Sequence, residues 1–164
     1  MTARVEFVVP GEPVPQGSMK AVPGRGRAEG RTFLVADNEA VLKHYRRDVA
    51  VAATAVLAAL NRLPGGAWST DAFPGPAHST RIPVAVTARF VCTRPGPGRS
   101  GHHFDFPITG DLDKFERALL DGMTGVVYKD DAQVVELHAV KRLVREGEPP
   151  HTQVLVRLAD EEGT

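Results

Sequence analysis

The chain has one cysteine, Cys92, in 164 residues. That excludes an intramolecular disulfide and suits a reducing cytoplasm. Its place in an apolar run reads as a small core residue rather than a nucleophile. No apolar run approaches the roughly 20 residues of a membrane span. The opening MTARVEFVVPGEP has too short an apolar core for a signal peptide. The expectation is a soluble, cytoplasmic protein with no membrane partner. Net charge is missing too, since 20 Lys and Arg balance 20 Asp and Glu. A neutral total argues against broad, non-specific binding to a polyanion. No internal repeat is visible.

The neutrality hides an asymmetry. Residues 1–110 hold 13 Lys/Arg against 8 Asp/Glu, and residues 111–164 hold 7 against 12, so the two parts carry +5 and −5. A local basic surface beside an acidic, cation-loaded one remains open. Apolar content of 42% is close to the globular norm, and the length suits one domain, residues 1–164, with a real core.

Val5, Phe7 and Val9 alternate through a strand over residues 4–9, which the prolines at 10, 13 and 15 end. Residues 16–31 contain Lys20, Arg25, Arg27 and Arg31 among glycines and read as a flexible basic loop. That loop is either a solvated surface or an arm that contacts phosphates. Thr32 to Val35 suggests a short strand, and Asp37 or Asn38 offers an N-cap. A long helix follows to Leu60, with Val41, Leu42, Tyr45, Val49, Ala52, Ala53, Val56 and Leu60 at helical spacing. Lys43, His44, Arg46 and Arg47 read as its solvated face. Residues 63–80 form a Pro/Gly-rich loop in which Trp68 and Phe73 need cover from the core or a partner subunit.

Arg81 to Cys92 is the clearest strand. His102 and His103 are adjacent, so their rings diverge and a shared metal is not expected. Strands are also expected over Val134–Val144 and Thr152–Leu158, with a turn at 146–150 between them and a frayed tail at 160–164. The sum is an α+β fold in which two helices pack on one mixed sheet, forming a single two-layer domain.

Two acidic pairs frame the second helix: Asp111 with Asp113, and Asp130 with Asp131. Between them Phe115, Ala118, Leu119, Gly122 and Met123 mark an apolar stripe. Taken singly, an Asp pair at a helix start is a cap and an Asp-Asp between strands is a turn. A helix followed by a short return strand is expected to bring both pairs to one edge. Carboxylates so gathered repel one another unless a divalent cation with oxygen ligands neutralises them. Arg117 lies one turn beyond Asp113 on the same side, a suitable companion for a phosphodiester.

The segment DLDKFERALLDGMTGVVYKDDAQVV resembles the signature of the RusA family of Holliday junction resolvases, and VPGEPVPQGSMK resembles the family's first strand and the Pro-rich basic loop after it. The signature runs Asp-x-Asp at a helix start, a cation four residues after the second Asp, a Leu-Asp-Gly-like helix, and an aromatic residue before Asp-Asp-x-Gln-Val. The resemblance implies a homodimeric endonuclease that needs Mg²⁺, with Mn²⁺ as a possible substitute, and cuts branched, four-way DNA junctions in recombination and repair.

Carried over by position, Asp111, Asp113 and Asp131 bind metal with Asp130 close by. Arg117 stands where the family has lysine, and Lys114 where asparagine is common. Arginine keeps the charge but does not lend a proton. Lys20, Arg25, Arg27, Arg31 and Lys114 are the expected DNA contacts. Two alternatives stay open: a flap- or fork-selective nuclease using the same acids, and a junction-binding protein with weak catalysis.

Overall fold

The computed structural model describes residues 4–23, 26, 29–30, 32–60, 82–96, 105–107 and 110–159. Arg25, Arg27, Arg31, Trp68, Phe73, His102, His103, the 63–80 loop and the 160–164 tail lie outside the described residues.

The first strand, β1 (Arg4–Pro10), buries Val5, Phe7 and Val9 and exposes the residues between them. That alternation is what a half-buried strand requires. β1 pairs antiparallel with β6 (His151–Leu158), and β6 pairs antiparallel with β4 (Val84–Cys92). β4 in turn runs parallel to β5 (Val134–Leu143), completing a four-stranded mixed sheet in the order β1-β6-β4-β5. As the central strand, β4 is buried at every position except Thr87 and Arg89.

Both helices, α1 (Glu39–Leu60) and α2 (Leu112–Met123), pack on the same face of this sheet. Leu42, Tyr45, Val49 and Ala53 of α1 join Phe115, Ala118, Leu119 and Met123 of α2 over Val5, Phe7, Val86, Ala88, Phe90 and Val154. The fold is the expected α+β arrangement of two helices on a mixed sheet. Val41 departs from its expected place and faces out, 57% exposed. Among the described residues no helix is long and apolar enough to cross a membrane.

Two features differ from the sequence reading. Within the segment read as a loop, Met19–Pro23 forms a strand, β2, which pairs antiparallel with β3 (Thr32–Ala36) as a separate two-stranded ribbon. Lys20 stands exposed on it. Asn38 supplies the carbonyl that accepts from Leu42 N, but its side chain is used elsewhere. Its Oδ1 accepts from Gly17 N and its Nδ2 donates to Pro15 O, tying the Pro-rich segment to the start of α1.

Cys92 is buried, and its thiol is pushed up to about 11, by burial first and by the charge of Glu12 second. A thiol so rarely ionised is a core residue, not a nucleophile. The buried Tyr45 hydroxyl is satisfied by Thr152 Oγ1 at 2.9 Å.

Candidate active site

The apolar stripe of α2 fixes the rotation of the helix. With Phe115, Ala118, Leu119, Gly122 and Met123 turned to the core, Asp113 and Arg117 face solvent one turn apart. Phe115 anchors the first turn against Phe90, ring centroids 5.2 Å apart. Gly110, at φ +72, makes the sharp entry, where a Cβ would lie 2.8 Å from both Phe115 and Pro15. Only glycine tolerates that backbone and that crowding together. Asp111 takes the N-cap position without capping through its side chain. Its carboxylate instead pairs with Lys114 Nζ at 3.3 Å. Among the described residues no side-chain hydrogen bond or ion pair engages Asp113 or Arg117.

Glu116 adds a third carboxylate at this end that the sequence reading did not name. Its pKa is raised, first by burial and then by the charge of Asp113. Uncompensated acids are expected to behave this way. Its position three residues after Asp113, on a helix, was the available signal.

Lys141 was also missed. Its Nζ donates to Gly110 O at 2.6 Å, bridging from β5 to the turn that delivers Asp111. In the register with β4, Lys141 lies opposite Phe90, in the inward phase shared by Ala139 and Leu143. A cation in the apolar phase of a strand was the sequence signal.

The basic segment is tied to this end as well, since Gln16 N donates to Lys114 O at 3.0 Å. Lys114 is therefore held twice, by its backbone to the segment that leads into β2 and by its side chain to Asp111.

The other acidic pair has a different character. Asp130 caps the 3₁₀ turn Asp131–Gln133, its Oδ1 accepting from Ala132 N at 2.9 Å. Gln133 completes the capping box by accepting from Lys129 N and Asp130 N, and its Nε2 donates to Ile82 O at 3.0 Å. The Asp-Asp-x-Gln pattern is thus a turn pinned to the start of β4. Asp131 stands exposed; its backbone carbonyl accepts from Val134 N, while its side chain has no hydrogen bond or ion pair among the described residues. Its charge, after burial, helps to raise the pKa of the Tyr128 hydroxyl, which donates to Leu120 O near the end of α2.

Asp121 and Gly122, in the middle of the motif, serve helix packing. Asp121 forms an ion pair with Arg46 of α1. Arg46 is therefore half-buried and paired, not part of a solvated face. A Cβ on Gly122 would come within 2.9 Å of Val49 Cβ, so glycine permits the close approach of α1 and α2.

The two acidic pairs do not meet within one chain. Because β4 and β5 are parallel, the connecting α2 must run back along the sheet. Its start is held to the end of β5 by Lys141, and the turn after it is held to the start of β4 by Gln133. The 12-residue helix that lies between the pairs is about 18 Å long. Among the described residues no three His, Cys, Asp or Glu side chains form a metal-binding group. The expected convergence on one edge of a single chain is corrected accordingly.

The donor chemistry nonetheless suits a hard divalent cation. Asp111, Asp113 and Asp131 offer exposed carboxylate oxygens, and neither Asp113 nor Asp131 is tied up in the fold. Together these features define a small α+β protein that presents exposed carboxylates beyond both ends of a crossover helix. The chain belongs to the endodeoxyribonuclease RusA family, whose family model matches residues 74–157, just over half of the 164. The matched stretch contains both acidic pairs, β4, α2 and β5. A search of curated proteins returned no match.

Proposed function

We propose that this chain is a Mg²⁺-dependent endonuclease that resolves four-way DNA junctions in recombination and repair, acting in the cytoplasm as a homodimer, with residues 1–164 as its one endonuclease domain. One observation carries the reading. In a RusA-family chain, Asp113 and Asp131 stand exposed without a structural partner, while their neighbours Asp121 and Asp130 are committed to packing and capping. Asp111, Asp113 and Asp131 are the proposed ligands, and Asp130 supports the turn that carries Asp131. Since about 18 Å of helix separates the ligands in one chain, a complete set draws Asp111 and Asp113 from one protomer and Asp131 from the other. A two-fold dimer then contains two such sites, matching the two strands a junction resolvase must cut.

Mg²⁺ held there would supply Lewis-acid stabilisation of the phosphate and a more acidic water; Mn²⁺ shares the preference for oxygen ligands. Arg117 presents a guanidinium fork one turn from Asp113, suited to two non-bridging phosphate oxygens. Lys114 balances Asp111 and is a weaker phosphate contact. Lys20, with Arg25, Arg27 and Arg31 nearby in sequence, supplies backbone contacts, so affinity should fall steeply with salt.

The test is cleavage of a four-way junction with and without Mg²⁺, wild type against Asp113→Asn. Junction binding is expected to survive the substitution while cutting is lost. Cutting that persists would remove Asp113 from the metal site. Wild-type binding without Mg²⁺-dependent cutting would favour the junction-binding alternative. Flaps, forks or linear duplexes cut as fast as junctions would replace the resolvase reading with a broader nuclease.

A further inference from the structure

The β2–β3 ribbon turns apolar side chains to solvent on both of its faces. Opposed residues of an antiparallel pair share a face, and successive residues alternate between faces. Val22 stands opposite Phe33 on one face, and Ala21 opposite Leu34 on the other, which Met19 shares. These side chains are exposed, Phe33 at 47% and Leu34 at 68%. Among the described residues the ribbon pairs with no further strand, and a two-stranded ribbon is marginal in water without cover. A ribbon that lies on a surface needs one apolar face. Two apolar faces fit a gap between two flat apolar surfaces.

The ribbon rises from the end of the molecule that carries Asp111 and Asp113. At its base Asp37 N donates to Ser18 O at 3.0 Å, and Ala36 is buried in the core. Gln16, just before it, donates to the carbonyl of Lys114, the residue after Asp113. Asn38, just after it, holds Gly17 N and Pro15 O. The root is thus fixed to the first turn of α2, and five residue pairs carry the ribbon about 17 Å beyond it. Residues 24–31, which join its strands, contain Arg25, Arg27 and Arg31 against Glu29, and Lys20 stands exposed on β2.

We propose that this ribbon is a wedge that enters the branch point of a four-way DNA junction. Val22 and Phe33 cover the end base pair of one arm, and Met19 and Leu34 that of the next. The inference rests on the reading of the neighbouring acids as a junction nuclease. Where arms meet, stacking is interrupted, so end base pairs present flat π faces bordered by phosphates. A linear duplex offers such a gap only when a base step is forced apart. Base stacking on an aromatic side chain tolerates any sequence. The cations around the apolar faces complement the phosphates that border the gap. A phosphate contact is the same on junction and duplex, whereas a filled branch point tells them apart.

A fluorescent purine analogue that brightens on unstacking is placed in the base pairs flanking the branch. Wild-type protein without Mg²⁺ is expected to raise its emission, and Phe33→Ser with Leu34→Ser to abolish the rise. The double variant should weaken junction binding by about 5–150-fold, the scale of one lost stacked base, and leave linear-duplex binding unchanged. Phe33→Trp, which keeps a π face, should retain both the rise and the affinity. Lys20→Ala should weaken junction and duplex binding alike and reduce the salt slope by about 1. Circular dichroism and thermal melts check the fold; if the double variant melts early, the two single variants carry the same comparison.

Serine variants that keep the rise, or that lose junction and duplex binding in equal proportion, overturn the wedge. A serine variant that sediments as a smaller species than wild type assigns the ribbon to a contact between copies and overturns it too. Junctions cut in Mg²⁺ with no rise in emission overturn the wedge and leave the nuclease reading standing. A rise that depends on Phe33, without cutting, leaves the wedge standing and overturns the nuclease reading.

Discussion

The two ends of α2 are built from the same residue types and used differently. At its C-terminal end Asp121 is paired with Arg46, Gly122 lets α1 approach, and beyond it Asp130 caps a turn that Gln133 locks to β4. At its N-terminal end Asp113 and Arg117 face outward with Glu116 half-buried beside them, and Asp111 has only a surface pair with Lys114. An exposed pair of that kind contributes about 0–1 kcal/mol. The contrast teaches that acid content alone does not mark a site. What marks it is acid that the fold leaves without a partner, together with repulsion left in place, as at Glu116.

Substitutions should separate the two uses. Asp131→Asn is expected to lower nicking by about 10²–10³-fold, the scale of losing one electrostatic contributor to a transition state, with the melting temperature unchanged. Its neighbour supplies the opposite pattern: Asp130→Ala should cost about 1 kcal/mol of stability through the lost cap and affect nicking less than Asp131→Asn does. Equal activity losses at the two positions would break the distinction drawn between them. Thermal melts and initial nicking rates on one junction are the measurements.

Lys141→Met tests the tie that holds Gly110. An outer contact that orients ligands is worth about 10–100-fold, so an intermediate loss of nicking is expected. Partial recovery in Lys141→Arg would show that a donor to the Gly110 carbonyl is what matters. Asp121→Ala should act on stability instead, by about 1–2 kcal/mol, between the values for exposed and buried pairs because both side chains are about one-third exposed.

Much of this was legible in the sequence, for reasons that are local. The α2 stripe at 115, 118, 119, 122 and 123 follows a 3.6-residue period and is the buried set observed. The alternation in β1 was equally plain. What failed to show was non-local. The pairing of Arg46 with Asp121 spans 75 residues, and nothing near Arg46 signals it. β2 was hidden by the proline, glycine and arginine around MKAVP. The placement of the acids had a signal that was misjudged: a helix between two strands of one sheet makes a parallel crossover, so the helix returns to the starting end before the next strand begins. That geometry carries the second acidic pair away from the first.

The smallest expected effect concerns a carboxylate beyond the end of β5. Glu148 accepts from both Arg142 Nη1 and Nη2 at 2.6 Å and from Arg145 N at 2.9 Å. The Arg142 guanidinium first, and the Arg145 amide second, hold its carboxyl down at about 2 against an ordinary 4.5. A carboxylate whose folded pKa is depressed contributes stability that is fully present above its unfolded value and lost as pH falls through its folded value. The Glu148 contribution is therefore complete above about pH 4.5 and fades towards pH 2. Glu116 has the opposite sign: its raised pKa opposes the fold while it is ionised, and that opposition is relieved on acidification. Glu148→Gln should lower the melting temperature slightly at pH 7 and leave no difference from wild type near pH 2. Glu116→Gln should do the reverse at pH 7, raising it slightly. Melts at both pH values decide between a carboxylate the fold satisfies and one it leaves strained beside Asp113.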